Sequence, residues 1–533
     1  MRKFSSYGSL NTKLHYYAPR EALIEQAVHQ LTGQDPDSGG HYITIWGPRQ
    51  AGKTWLMLQA VERIKAQDDF QVAILTMQSA KEATTDQDVL GVLVSNLKKR
   101  FDYDFPPIDE WKELNDLFSA KYFTRPLILI LDEFDSIDEP FITKFANELR
   151  VMYTDRLNEA DKKSSEKSCL LHGLALVGVR AMLGIENVRG SPFNVQRSFR
   201  VPNLSLEQVD GMFKWYERES GQAVEQKVIE RLFYETQGQP GLVGWLGELL
   251  TEGDFNRHDS SITQRDFEIV YAAAIKILPN NNILNIISKS KPEPYRAKLL
   301  ELFRTSAKIP FSYDEREWNF LYMNGVIDWE KENNLEYYVK FSSPFVQKRL
   351  FNYLANDIFD MVGQLYAPFD DLSDAITGKG LNVKNLLRRY ETYLQKNRHW
   401  LLKNAPRRSD LRIYEAVYHF NLYMYISHFL ASYDGIVYPE FPTGNGQIDL
   451  VIEHGGQVYG LELKSYTNRP EYTKALAQAA RYGNQLGLSE ITLAFFVEYI
   501  DEANRQKYEV NYQDAESGVT VIPAFVEIGT SDK

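Results

Sequence analysis

Cysteine is almost missing: Cys169 is the single one in a chain of 533 residues. A disulfide within the chain and a zinc site built on thiolates are thereby excluded, and a reducing compartment fits. Long apolar runs are missing as well. No stretch reaches the roughly 18 residues that a membrane-crossing helix needs. The opening Met-Arg-Lys-Phe-Ser-Ser lacks the apolar segment of a secretion signal. A cytoplasmic protein with no membrane span is expected. Net positive charge is also lacking. The formal charge is −12, which excludes a wholly basic nucleic-acid binder but leaves local basic patches open. Neither an internal repeat nor a low-complexity tract interrupts the chain.

What remains is the composition of an ordinary globular protein, 44% hydrophobic and 25% charged, with 32 Tyr and 29 Phe to fill large cores. At about 150 residues per domain, three or four domains are expected. In the first two hundred residues, short apolar runs at His41–Trp46, Val72–Thr76, Leu127–Leu131 and Leu171–Val179 alternate with helical patterns. That order predicts an α/β fold with a parallel sheet covered on both faces.

The first of these runs ends in Gly47-Pro48-Arg49-Gln50-Ala51-Gly52-Lys53-Thr54. The spacing is that of a phosphate loop between a strand and a helix. Its glycines let backbone N–H groups converge on phosphate oxygens without Cβ clashes. Lys53 would reach the β/γ-phosphates, Thr54 would offer its hydroxyl to Mg²⁺, and the following helix would turn its positive end to the anion. The third run ends in Asp132-Glu133-Phe134-Asp135. Asp132 would hold Mg²⁺ through water and Glu133 would polarise the attacking water. An acidic pair after an apolar run is common by itself; beside the glycine loop it becomes specific.

Residues 15 to 350 resemble the archaeal-type and signal-transduction branches of the AAA+ ATPases, kin to replication-initiator ATPases. Tyr17-Ala18-Pro19-Arg20 resembles their adenine-side segment, which implies contacts from Tyr17 and Arg20. Thr236-Gln-Gly-Gln-Pro240 resembles the Gly-x-Pro signature of their helical lid, placing Pro240 near the base or ribose. The helix–helix–hairpin pattern over 294–350 resembles their winged helix. Arg197 or Arg200 stands where such ATPases carry a γ-phosphate arginine; an arginine supplied in trans implies a homo-oligomer. In one respect the chain departs from the pattern. The run from Leu174 ends in Gly178-Val179-Arg180 rather than in a polar sensor of the γ-phosphate, which implies slow hydrolysis or substitution by Arg180.

The last hundred residues return to strands. Gln447–Ile452 carries Asp449, and after a two-glycine turn Val458–Leu463 carries Glu462, followed by Lys464. Residues i and i+2 share a strand face, so Glu462 and Lys464 point the same way. Two carboxylates offer oxygen ligands to Mg²⁺, while a lysine orients or activates water beside a phosphodiester. This stretch, from about 380 to 525, resembles the PD-(D/E)xK nuclease fold, especially nuclease domains fused to AAA-type ATPases. The resemblance implies roles for Glu415 as the helical acid before the sheet, and for Gln478 and Tyr482 as an accessory Gln-x3-Tyr on the next helix. Glu440 competes for the first acidic role, and His419 reads as a packed side chain rather than a ligand.

Between Lys384 and Arg412 lie nine basic residues, Lys384, Arg388, Arg389, Lys396, Arg398, Lys403, Arg407, Arg408 and Arg412, against two acidic ones, Glu391 and Asp410. Beside an active site they would contact phosphates. The expected organisation is therefore an ATPase core (1–204), a helical lid (205–280), a winged helix (281–355), a helical linker (356–410) and a restriction-endonuclease-like α/β domain (411–533). The expected function is ATP-dependent control of a Mg²⁺-dependent nuclease acting on DNA, in defence or mobile-element control. An alternative stays open: a non-cutting nucleotide switch whose C-terminal domain only binds nucleic acid or a protein. RNA as substrate also stays open.

Overall fold

The computed structural model describes the chain except residues 9, 179–195, 257–259, 305–307, 333–334, 361–362, 364, 366–369, 379, 407–414, 434, 441–448, 466–468 and 530–533. It divides into two compact units, Met1–Ile286 with Asn319–Val326, and Ile287–Trp318 with Ile327–Lys533.

The first unit runs α1 (Glu21–Thr32), β1 (Tyr42–Trp46), α2 (Lys53–Lys65), β2 (Gln71–Thr76), α3 (Asp86–Phe101), α4 (Leu114–Leu117), β3 (Leu127–Asp132), α5 (Glu139–Asn158), β4 (Leu171–Gly178) and β5 (Gln196–Arg200). The helices α6 (Leu206–Ser220), α7 (Gln226–Thr236), α8 (Pro240–Thr251) and α9 (Gln264–Lys276) follow. The five strands form one parallel sheet in the order β2-β3-β4-β1-β5. The run Leu127–Leu131 shows why the sheet is buried on both faces. Leu127, Leu129 and Leu131 enter a core with α3 and α5, while Ile128 and Ile130 enter the opposite core with α1 and α2. Helical starts are chemically marked. Thr85 caps α3 in a reciprocal bond with Asp88, and Ser205 caps α6 in the same way with Gln208.

The chain continues through α10 (Asn281–Ser290), α11 (Tyr295–Arg304), α12 (Arg316–Met323), the antiparallel hairpin β6 (Ile327–Lys331) and β7 (Tyr337–Phe341), and α13 (Pro344–Ile358). A short hairpin, β8 (Ile376–Thr377) and β9 (Gly380–Leu381), falls within the expected helical linker (356–410), before α14 (Val383–Leu401) and α15 (Glu415–Leu430). Then come β10 (Ile436–Glu440), β11 (Asp449–His454), β12 (Gln457–Ser465), α16 (Arg469–Gln485), β13 (Glu490–Val497), α17 (Glu502–Tyr508), β14 (Tyr512–Gln513) and β15 (Thr520–Glu527). These strands make a mixed sheet, β10-β11-β12-β13-β15-β14, antiparallel from β10 to β12 and parallel through β13 and β15. Ala475, Leu476, Ala479 and Ala480 of α16 pack on Ile491, Leu493 and Phe495 of β13 and on Val521 and Phe525 of β15. Among the described residues no helix is long and apolar enough to cross a membrane.

Candidate functional site

Strand β1 delivers the chain to Gly47, and Gly52 at φ +87° turns it into α2, a left-handed step that a glycine takes without strain. Lys53 is half-buried. Its Nζ donates to the carbonyls of Gly47 at 2.7 Å and Pro48 at 2.8 Å. Burial pushes its pKa down to about 8, against an upward pull from Asp135, Asp132 and Glu133. Thr54 Oγ1 donates to Asp132 Oδ2 at 2.7 Å, so the two side chains expected to hold Mg²⁺ stand together. Both offer hard oxygen donors, the kind that this ion takes. Glu133 sits at φ +54°, with Oε2 accepting a 3.4 Å bond from Thr76 Oγ1 at the end of β2.

Side chains around the loop hold its backbone. Arg20 is buried and donates to the carbonyl of Ala51, and burial lowers its pKa to about 10. It braces the loop backbone. Gln50 Nε2 donates to the Ser6 carbonyl at 3.0 Å. Pro240 opens α8, and the preceding Gln239 donates from Nε2 to the Arg49 carbonyl at 2.9 Å. Tyr17 lies edge-on between Trp55 of α2 and Trp215 of α6, with centroids 5.6 and 5.5 Å away. Arg200 lies over the ring of Tyr322 at 4.6 Å. The Arg197 side chain and Arg180 fall outside the described residues. Sequence reasoning gave Thr76 and Asp135 no role. Asp135 was visible in the acidic motif, but its partner is not adjacent in sequence.

In the second unit, the antiparallel register pairs Asp449 directly with Glu462, and Glu440 with Asp449. Three acidic positions thus form one row across β10, β11 and β12. The side chains of Glu440, Asp449 and Glu415 lie outside the described residues. Glu462 is fully buried, and Lys464 Nζ lies 3.4 Å from its Oε1. The same Nζ donates to Gln478 Oε1 of α16 at 3.2 Å. Tyr482, one turn on, is buried. His419 on α15 is buried beside the ring of Phe496 at 5.1 Å; burial, aided by Lys464, lowers its pKa to about 4. Among the described residues, no group of three or more His, Cys, Asp or Glu is placed to hold a metal.

Three of the nine basic residues between Lys384 and Arg412 have carboxylate partners. Lys384 and Arg388 pair with Glu509, Arg389 pairs with Asp374, and Arg388 also lies 3.4 Å from Glu391. Lys384, Arg388 and Arg389 are thus paired with carboxylates of their own unit, while Lys396 and Lys403 are exposed. Arg407, Arg408 and Arg412 lie outside the described residues.

The parallel sheet, the glycine loop after β1 and the acidic end of β3 have the arrangement of a P-loop core. Residues 6–257 match the family model described as an AAA-like domain. No curated protein matches the chain. Among solved structures, the chain is similar to the Walker-type ATPase PABY2304 of Pyrococcus abyssi, with 16% identity over 65% of this chain and 99% of that one, at a TM-score of 0.39. It is also similar to the ORC2 protein of Aeropyrum pernix in its ADPNP-ADP complexes, with 14% identity over 64% and 96% of the two chains, at 0.38. The ORC1 protein of the same organism, in complex with DNA, gives 14% identity over 62% and 92%, at 0.32.

Proposed function

We propose that the chain is an ATP-binding and ATP-hydrolysing protein that controls a metal-dependent nuclease acting on DNA. The nucleotide part is supported by the phosphate loop with Thr54 bonded to Asp132. The nuclease part is carried by one observation: Asp449 and Glu462 are register partners, and Lys464, two residues on, is bonded to Gln478. Asp449 and Glu462 would hold Mg²⁺, which would polarise the phosphodiester and its attacking water. Lys464 would orient that water or offset charge on the phosphate, and Gln478 would fix Lys464. Glu415 or Glu440 would supply a further carboxylate. In this reading, residues 205–280 are the lid, 281–355 a winged helix and 411–533 the nuclease domain. Adenine would lie near Tyr17 and Pro240, with copies of the chain assembled around ATP.

The non-cutting reading draws on the ion pairs of Lys384, Arg388 and Arg389, which engage part of the basic stretch within its own unit. A panel of supercoiled, linear and single-stranded DNA with matching RNA, incubated with Mg²⁺ or Mn²⁺, separates the two. Cleavage by wild type that Lys464→Ala lacks supports the nuclease. No cleavage of any substrate leaves the switch.

A further inference from the structure

Strand β4 lies between β1, which feeds the phosphate loop, and β3, which ends in Asp132. Its last residue, Gly178, is the register partner of Trp46, the residue just before Gly47. A terminal phosphate held by Lys53 would therefore lie over this strand end, where Gly178 offers no side chain. Asp135 reaches the position from the turn after β3. A Cβ added at Gly178 would stand 2.9 Å from Asp135 Oδ1, 3.0 Å from its Cγ and 3.1 Å from its Cβ. With three successive atoms this close, the aspartate lies along the glycine, and even a methyl group would displace it. Among the carboxylates near Lys53, Asp135 also exerts the largest upward pull on the ammonium.

We propose that Asp135 is a positioning residue for ATP hydrolysis: from the space left by Gly178, its carboxylate accepts a hydrogen bond from the attacking water while Glu133 accepts that water's proton. This rests on the reading of the first unit as an ATPase. The water oxygen bonds to the γ-phosphorus as the bond from that phosphorus to the β–γ bridging oxygen breaks. ADP leaves with the electron pair. One proton passes to Glu133, and the other stays on the new phosphate hydroxyl, still directed at Asp135. A bare carboxylate beside a phosphate is repulsive; Lys53 and an intervening water offset that repulsion. Asp135 of the acidic motif would then supply the polar group that Gly178 does not.

The test uses the full chain and compares steady-state ATP hydrolysis with ADP affinity by calorimetry. Wild type, Asp135→Ala, Asp135→Asn, Gly178→Ala and the double variant Asp135→Ala with Gly178→Ala are measured. Asp135→Ala is expected to lower kcat by at least about tenfold while ADP affinity stays within about twofold. Asp135→Asn, which can still accept from water, should retain more activity than the alanine. Gly178→Ala should lower kcat in the same direction, and the double variant should be no slower than Asp135→Ala alone. An unchanged kcat for Asp135→Ala, a parallel loss of ADP affinity, or additive losses in the double variant would overturn the role. Absence of ATP turnover in wild type would instead remove the ATPase reading on which the role rests.

Discussion

Lys464 on β12 donates from Nζ to Oε1 of Gln478 on α16 at 3.2 Å, and the same ammonium lies 3.4 Å from Glu462 Oε1. The amide therefore fixes one direction of an ammonium whose carboxylate neighbour is fully buried. A hydrogen bond to a charged group contributes about 1.5–3 kcal/mol. Gln478→Ala should slow DNA cleavage by roughly tenfold or more, while Lys464→Ala should remove it. Initial rates on plasmid DNA check this, and equal rates for Gln478→Ala and wild type would take the glutamine out of the site.

Nucleotide affinity should fall at alkaline pH. Burial pushes the pKa of Lys53 down to about 8. Phosphate binding favours the ammonium and raises that pKa, so binding takes up a proton above pH 8. Affinity is then full below about pH 7 and declines as pH rises through 8 toward the bound value, at most about tenfold per pH unit. Lys53→Arg stays charged and should flatten the decline. Calorimetric titrations with ADP at pH 7, 8 and 9 measure it.

Thr76 holds Glu133 toward β2 through a long 3.4 Å bond. Releasing the glutamate removes a bond of about 1 kcal/mol. Thr76→Ala should therefore raise basal ATP turnover a few-fold with little change in ADP affinity. A slower variant would mean that Thr76 assists Glu133 in place instead of holding it back.

Acid should destabilise the first unit through His172. This buried ring donates from Nε2 to the Thr32 carbonyl at 2.9 Å and meets Ser164 Oγ at 2.7 Å through Nδ1. Burial lowers its pKa from 6.5 to about 4. The unfolded chain then binds more protons than the folded one between those values. Its contribution is fully present above pH 6.5 and is lost as pH falls toward 4, by roughly 3 kcal/mol at most. Urea midpoints at pH 7 and 4.5 should differ more for wild type than for His172→Gln.

The sequence made β1, β3 and β4 legible because strands buried on both faces must be apolar throughout. It hid β5, Gln196-Arg-Ser-Phe-Arg200, because among the described residues this strand pairs with β1 alone and ends the sheet order, where polar residues are tolerated. It hid β15 because Pro523 interrupts the run. Yet β14 covers only Thr520 and Val521, so a proline further along breaks no ladder bond on that side. The row of Asp449, Glu462 and Lys464 was readable from i, i+2 spacing and a short turn. The charge of 384–412 was readable too, but not its partners: Glu509 and Asp374 reach it only through the fold. The closeness of Asp135 to Gly178 was equally invisible, because it joins the turn after β3 to the end of β4.

In the proposed function, one chain joins a nucleotide site at Lys53 to phosphodiester cleavage at Lys464. Cleavage of supercoiled DNA in Mg²⁺, with and without ATP, tests it most directly in wild type, Lys53→Ala and Lys464→Ala. ATP is expected to change the cleavage rate of wild type; Lys53→Ala should still cut but ignore ATP, and Lys464→Ala should cut under neither condition. Cleavage by Lys464→Ala at the wild-type rate, or a wild type that cuts no DNA, would contradict it.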